Sequence, residues 1–198
     1  MDKKLLVDFL PFQVNRDTIN ESIKENNGRL VVKGVLQRAE SKNQNGRVYP
    51  KPVLERESKK YNETFISENR ALGELDHPDS SVVNLNNASH NITEMHWDGN
   101  DLIGTVEVLS TPAGNILREL FKAGIKLGIS SRGLGSVKEI REEDDTLEVQ
   151  PDFELIAFDF VSNPSTHGAF MYPMNESKQP VNTKVSKIEQ IVNDIMRS

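Results

Sequence analysis

Residues 153–162, Phe-Glu-Leu-Ile-Ala-Phe-Asp-Phe-Val-Ser, form the most apolar run in the chain, and one charge, Asp159, sits inside it. A short run rich in aromatic and branched residues reads as a buried central strand of a sheet. A carboxylate inside such a strand is costly unless a cation, a donor or a histidine meets it. Any fold for this chain must therefore cover that strand and also bring a partner to Asp159.

The remaining pattern supplies the sheet and its cover. Residues 1–12 hold a short apolar run that reads as a strand, and residues 13–28 are polar, as in a loop or flexible leader. From residue 29 on, Leu30, Val31, Val32, Val35 and Leu36 predict a buried strand, and Asn45-Gly46 marks a turn. Pro50 and Pro52 suit the entrance of a helix over residues 50–65. Residues 88–97 and 102–109 flank Asp98-Gly99-Asn100-Asp101 and predict a hairpin. Ile116, Leu117, Leu120 and Phe121 predict a second helix over 111–122, stopped by Gly124. Ile125, Leu127 and Ile129 alternate with Lys126, Gly128 and Ser130, as in a strand, and Glu142-Glu143-Asp144-Asp145 reads as an acidic turn. Val185, Ile188, Val192 and Ile195 step as one face of a C-terminal amphipathic helix. The expected class is α+β, with an antiparallel, barrel-like sheet. The expected organisation is a strand plus flexible leader over 1–28, a main domain over 29–173, and a linker with the amphipathic helix over 174–198.

Composition narrows the chemistry. At 198 residues the chain suits one domain with a real core. Its 24 Lys and Arg against 30 Asp and Glu leave a net charge of −6, which argues against nucleic acid as a partner. Without cysteine there is no thiol nucleophile and no Cys-based zinc site, and the four histidines stand at no recognisable metal spacing. We expect no metal, no cofactor and no membrane partner, since Leu5-Leu6-Val7 is too short for a span or signal core. These features predict a soluble intracellular protein.

Three segments carry chemically suggestive residues: Gly73-Glu74-Leu75-Asp76-His77-Pro78, Gly128-Ile129-Ser130-Ser131-Arg132-Gly133-Leu134-Gly135-Ser136, and the strand around Asp159. A serine attacks a carbonyl only when a base takes its proton and a third group orients that base. His77, a serine at 130 or 131 and Asp159 supply those parts. By strand phase Ser131 follows the buried residues, while Ser130 points to the opposite face, where substrate could reach it. The bland readings are a turn histidine, a glycine-rich loop or anion nest, and an Asp that neutralises a buried partner. His90, His96 and His167 are alternative histidines, and Lys126 is an alternative base in a Ser-Lys arrangement.

Together with Leu36-Gln37-Arg38-Ala39-Glu40 and Asn45-Gly46-Arg47-Val48-Tyr49-Pro50-Lys51, the first two of these segments resemble the prohead core protein proteases of large contractile-tailed phages, in collinear order over residues 29–173. That resemblance implies a β-barrel core wrapped by helices, related to the herpesvirus assembly protease. It also implies a serine endopeptidase that digests scaffold, core and capsid precursor proteins inside the immature head in the host cytoplasm, and finally itself. The family's histidine falls on His77 and its serine on Ser130, with Ser131 as the alternative. Asp159 follows the serine in chain order, as the third member does in related viral enzymes, which place a histidine there. For such chemistry the candidate oxyanion donors are amides of residues 132–135 or 163–168. The implied cleavage is after Glu in Leu/Ile-x-Glu, a pattern this chain carries at Glu21, Glu25, Glu74, Glu94, Glu119 and Glu142. Self-cleavage is expected first after Glu21 or Glu25, then after Glu142. The competing reading is a non-catalytic capsid-core or scaffold component of the same fold.

Overall fold

The computed structural model of the chain describes residues 3–11, 16–76, 78, 80–125, 127–141, 145–162 and 171–173. His77, Lys126, His167, residues 142–144, the 163–168 stretch and the C-terminal helix expected over 174–198 lie outside the described residues. The elements run β1 (Lys4–Pro11), α1 (Arg16–Glu25), β2 (Leu30–Arg38), β3 (Arg47–Val48), α2 (Lys51–Tyr61), β4 (Leu72–Glu74), β5 (Ala88–Asp98), β6 (Asp101–Val108), α3 (Pro112–Lys122), β7 (Gly128–Gly135), β8 (Val137–Arg141), β9 (Thr146–Val149), β10 (Glu154–Val161) and β11 (Met171–Pro173).

The fold is mixed and strand-rich. Among the described residues the strands form three sheets, ordered β1-β7-β10, β11-β2-β6-β5-β4 and β3-β9-β8, and every pairing is antiparallel except β3 with β9. A bridge between Leu75 and Phe160 links the first two sheets, so one run of strands extends from β1 through β10 and β4 to β11. That run does not close between β1 and β11 among the described residues. The expected barrel is thus not closed among the described residues. Among the described residues the apolar strand, β10, pairs along its length with β7 alone, and the central place in its sheet goes to β7, between β1 and β10.

The helices form where the sequence caps them. α2 enters through Pro50 and Pro52 and buries Val53, Leu54 and Tyr61. A single π-turn, Asn62–Ile66, follows it and sets the Phe65 ring 5.0 Å from that of Tyr61. α3 starts where the Thr111 hydroxyl accepts from the Gly114 amide at 3.0 Å, and it ends before Gly124 at φ +75°. It lies directly on backbone, because a Cβ on Gly114 would stand 2.0 Å from the Leu109 carbonyl oxygen. Phe158 and Phe160 of β10 take the rings of Tyr61 and Phe121 edge-on, at 5.7 and 5.4 Å, which joins both helices to the core.

Two readings of local structure change. Residues 16–25, expected as part of a polar leader, form α1, with Ile19 and Ser22 buried. The Ser22 hydroxyl donates to the Val31 carbonyl at 2.8 Å, which fastens the helix to β2. The apolar residues of this segment are too sparse to show a helical face; the helix is held by tertiary contacts. At the other site, Ile125 is 46% exposed while Leu127 and Ile129 are buried, so the strand begins at Gly128 and the alternation extending back to Ile125 does not continue into it.

The N-terminal strand is clamped by the Asn45–Tyr49 segment. Asp8 is buried and accepts from Asn45 Nδ2 at 2.7 Å, from Arg47 Nη1 at 3.2 Å and from the Tyr49 hydroxyl. Burial raises the Asp8 pKa above the usual carboxylate value, against the lowering effect of Arg47 and the hydrogen bonds.

β4 reaches β10 because residue 73 is glycine. A Cβ there would stand 1.9 Å from the Phe158 carbonyl oxygen and 2.3 Å from His90 Nε2. Gly73→Ala is expected to cost about 3 kcal/mol or more, the upper end of overpacking, since one of the clashing atoms is backbone. Chemical denaturation checks this; a midpoint unchanged from the parent would show that β4 does not need the close approach.

Candidate functional site

The site is built on β7 and β10, which place Ser130 opposite Asp159, with Phe160 opposite Ile129 and Phe158 opposite Ser131. Directly opposed residues share a face of the sheet, so Ser130 and Asp159 lie together on one face, joined there by Arg132 two residues along β7. Ser131 takes the other face, where its Oγ accepts from Gln37 Nε2 of β2 at 2.8 Å, both residues being buried. A register shift between Val35 and Gln37 accompanies that contact.

Asp159 has its partner. Its Oδ2 accepts from Arg132 Nε at 2.8 Å, and its Oδ1 accepts from Arg132 Nη2 at 3.2 Å and from the Glu74 amide at 3.0 Å. Arg132 also donates to Glu74 Oε1 at 3.0 Å and to the Ser80 carbonyl at 2.5 Å, and the Asn84 amide donates to the same Glu74 oxygen at 3.0 Å. Arg132, Glu74 and Asp159 are each 0% exposed. Arg132 and Glu74 are the site residues that sequence reasoning passed over. The available signal was the demand of Asp159 for a partner, with Arg132 two residues after Ser130 on the same strand face.

The chain then runs from Glu74 toward His77 along β10. Leu75 bridges Phe160, and the Asp76 amide donates to the Phe160 carbonyl at 2.7 Å, with Asp76 at φ +68°. The backbone is therefore fixed up to the residue before His77, one position along β10 from Asp159.

Ser130 is 0% exposed, against the expectation that its face lies open to substrate. The bonds from Arg132 to Ser80 and from Asn84 to Glu74 draw the stretch after β4 onto that face. In this conformation the hydroxyl is shielded.

The alternative histidines divide. His90 is buried, with Nε2 2.9 Å from the Phe158 carbonyl and Nδ1 2.8 Å from the Ser89 hydroxyl, so Nε2 carries the proton and Nδ1 accepts. Burial lowers its pKa to about 4, which keeps it neutral in the core. His96 lines a shallow surface cavity of about 310 Å³ with Trp97, Lys59 and Glu55. A bulge between Ile92 and Glu94 puts these two histidines out of phase, although six residues separate them. Among the described residues no cluster of His, Asp and Glu is arranged to hold a metal ion, and no helix is long and apolar enough to cross a membrane.

The glycines of the Ser131–Ser136 segment serve packing. The Phe153 ring lies against the strand, and a Cβ on Gly133 would stand 2.4 Å from it. Residues 131–134 of this segment lie in β7 and are paired on both edges.

The sequence profile of the family described as prohead core protein serine protease matches residues 7–179. The chain belongs to that family. The match begins within β1, so the family's region takes in the strand beside β7 and the helix after it. Among its relatives, the prohead core protein protease of Enterobacteria phage T4 is 33% identical over 171 residues, spanning 85% of this chain and 78% of the phage protein. A solved structure of the bacteriophage T4 capsid assembly protease matches this chain with a TM-score of 0.70 and 27% identity, covering 83% of this chain and 100% of that one.

Proposed function

We propose that the protein is a serine endopeptidase of the phage prohead, in which His77 takes the proton of Ser130, Ser130 attacks the scissile carbonyl, and Asp159 orients His77. Its substrates are scaffold, core and capsid precursor proteins, cut after Glu in Leu/Ile-x-Glu sequences inside the immature head. The observation that supports this most is the cross-strand pairing of Ser130 with Asp159, with the backbone up to Asp76 bonded to the neighbouring Phe160. Family membership supplies the peptidase chemistry. Because β7 is paired on both edges, the amides of residues 132–135 are engaged in ladders, which favours the 163–168 stretch as the oxyanion donor.

The non-catalytic reading draws on the burial of Ser130. Self-processing separates the two. Cleavage after Glu21 would need Ser22 to leave its buried bond to Val31, whereas Glu25 closes α1 and is followed by the turn at Asn27 and Gly28, both at positive φ. The folded protein is therefore expected to cut itself first after Glu25. Concentrated full-length chain is incubated beside Ser130→Ala and His77→Ala and the fragments are weighed. A first cut after Glu25 in the parent alone supports the reading, and identical fragments from all three proteins remove that support.

A further inference from the structure

We propose that Arg132 is a positioning residue of the protease, holding the two ends of the segment that carries His77 against the strand pair that carries Ser130 and Asp159. The proposal rests on the reading of His77 and Ser130 as the reacting pair.

One buried guanidinium joins three separate stretches of chain. It meets β10 at Asp159 through Nε and Nη2, the end of β4 at Glu74 through Nη2, and the segment after it at the Ser80 carbonyl through Nη1. Glu74 and Ser80 stand three residues before and three residues after His77. Glu74 fastens the segment a second time through the Asn84 amide. A planar fork with five donors in fixed directions makes these contacts at once; a single ammonium cannot.

Charge points the same way. For stability alone, Arg132 and Asp159 would form a neutral buried pair. Glu74 adds a second carboxylate, itself 0% exposed, whose Oε2 is buried with no hydrogen-bond partner among the described residues. Burying a surplus carboxylate is unfavourable, and folding alone does not explain it. A role in holding the His77 segment does, since Glu74 is the group that ties both Arg132 and Asn84 to the strand leading into it.

The test uses the full chain and four variants: Arg132→Lys, Arg132→Met, Glu74→Gln, and Arg132→Met with Glu74→Gln together. Turnover and KM are measured separately on a Leu-x-Glu peptide. Thermal melting and amide exchange over residues 74–84 are followed in parallel. Arg132→Lys keeps the charge and loses the fork, and it should fold, lower kcat by about a hundredfold as a misplaced catalytic group does, leave KM within a few-fold, and speed exchange over 74–84. Arg132→Met removes the guanidinium that both buried carboxylates accept from and should melt far lower. Adding Glu74→Gln should recover much of the melting temperature without recovering kcat.

A kcat for Arg132→Lys near the parent's would overturn the proposal, leaving Arg132 as charge neutralisation only. A rise in kcat would also overturn it, marking the cluster as a restraint on the site. If the parent itself cleaves nothing, the protease reading fails separately, while exchange and melting still report whether Arg132 holds the segment.

Discussion

Asp159→Asn is expected to lower turnover by about three to four orders of magnitude in a protein that still folds, the effect of losing the carboxylate that holds the catalytic histidine in its working tautomer. Folding should survive because Arg132 keeps Glu74 as a counter-ion and the Asn oxygen can still accept from the Glu74 amide. The new amide nitrogen would meet Arg132 as donor against donor, so stability should fall by about 3 kcal/mol, the low end for breaking a buried ion pair. Steady-state kinetics and a thermal melt on the same preparation check both halves. Near-normal turnover would show that His77 is oriented by another group, and Glu74, three residues before it and with Oε2 unpartnered among the described residues, is the carboxylate next in line. A protein that simply fails to fold would reduce Asp159 to a structural ion pair.

The parts of this account legible in the sequence are those that depend on local pattern. The hairpin of β5 and β6 follows from the loop composition at residues 98–101, and α3 follows from Thr111, Pro112, its apolar spacing and Gly124. The opposite facing of Ser130 and Ser131 follows from strand alternation. What the pattern could not show depends on contacts distant in sequence. Helix α1 has too few apolar residues to declare itself and exists because Ile19 and Ser22 are buried against the body. The Asn45–Tyr49 segment reads only as a turn, yet its side chains converge on Asp8, some forty residues earlier. Bulges at Val35/Gln37 and Ile92/Glu94 reset phase within strands, turning Gln37 toward Ser131 and separating His90 from His96. Asp159 announced the need for a partner; that the partner is Arg132, with Glu74 as a second carboxylate, required the register of β7 on β10 and the approach of β4 that Gly73 permits.

Ser130→Ala is expected to lower turnover by about six orders of magnitude, the loss seen when a serine nucleophile is removed from a working triad. Ser131→Ala should act differently. It strips Gln37 Nε2 of its acceptor in the core, which costs about 1–3 kcal/mol for an unsatisfied buried donor, and it should leave most of the turnover in place. The contrast follows from geometry: Ser130 shares a face with Asp159, and Ser131 is tied to β2 on the other side of the sheet. The most direct measurement is mass spectrometry of a Leu-x-Glu scaffold peptide after incubation with the parent, Ser130→Ala and His77→Ala proteins. The account predicts products ending at that Glu from the parent alone. The same products from all three, or an intact peptide from a folded parent, would contradict it.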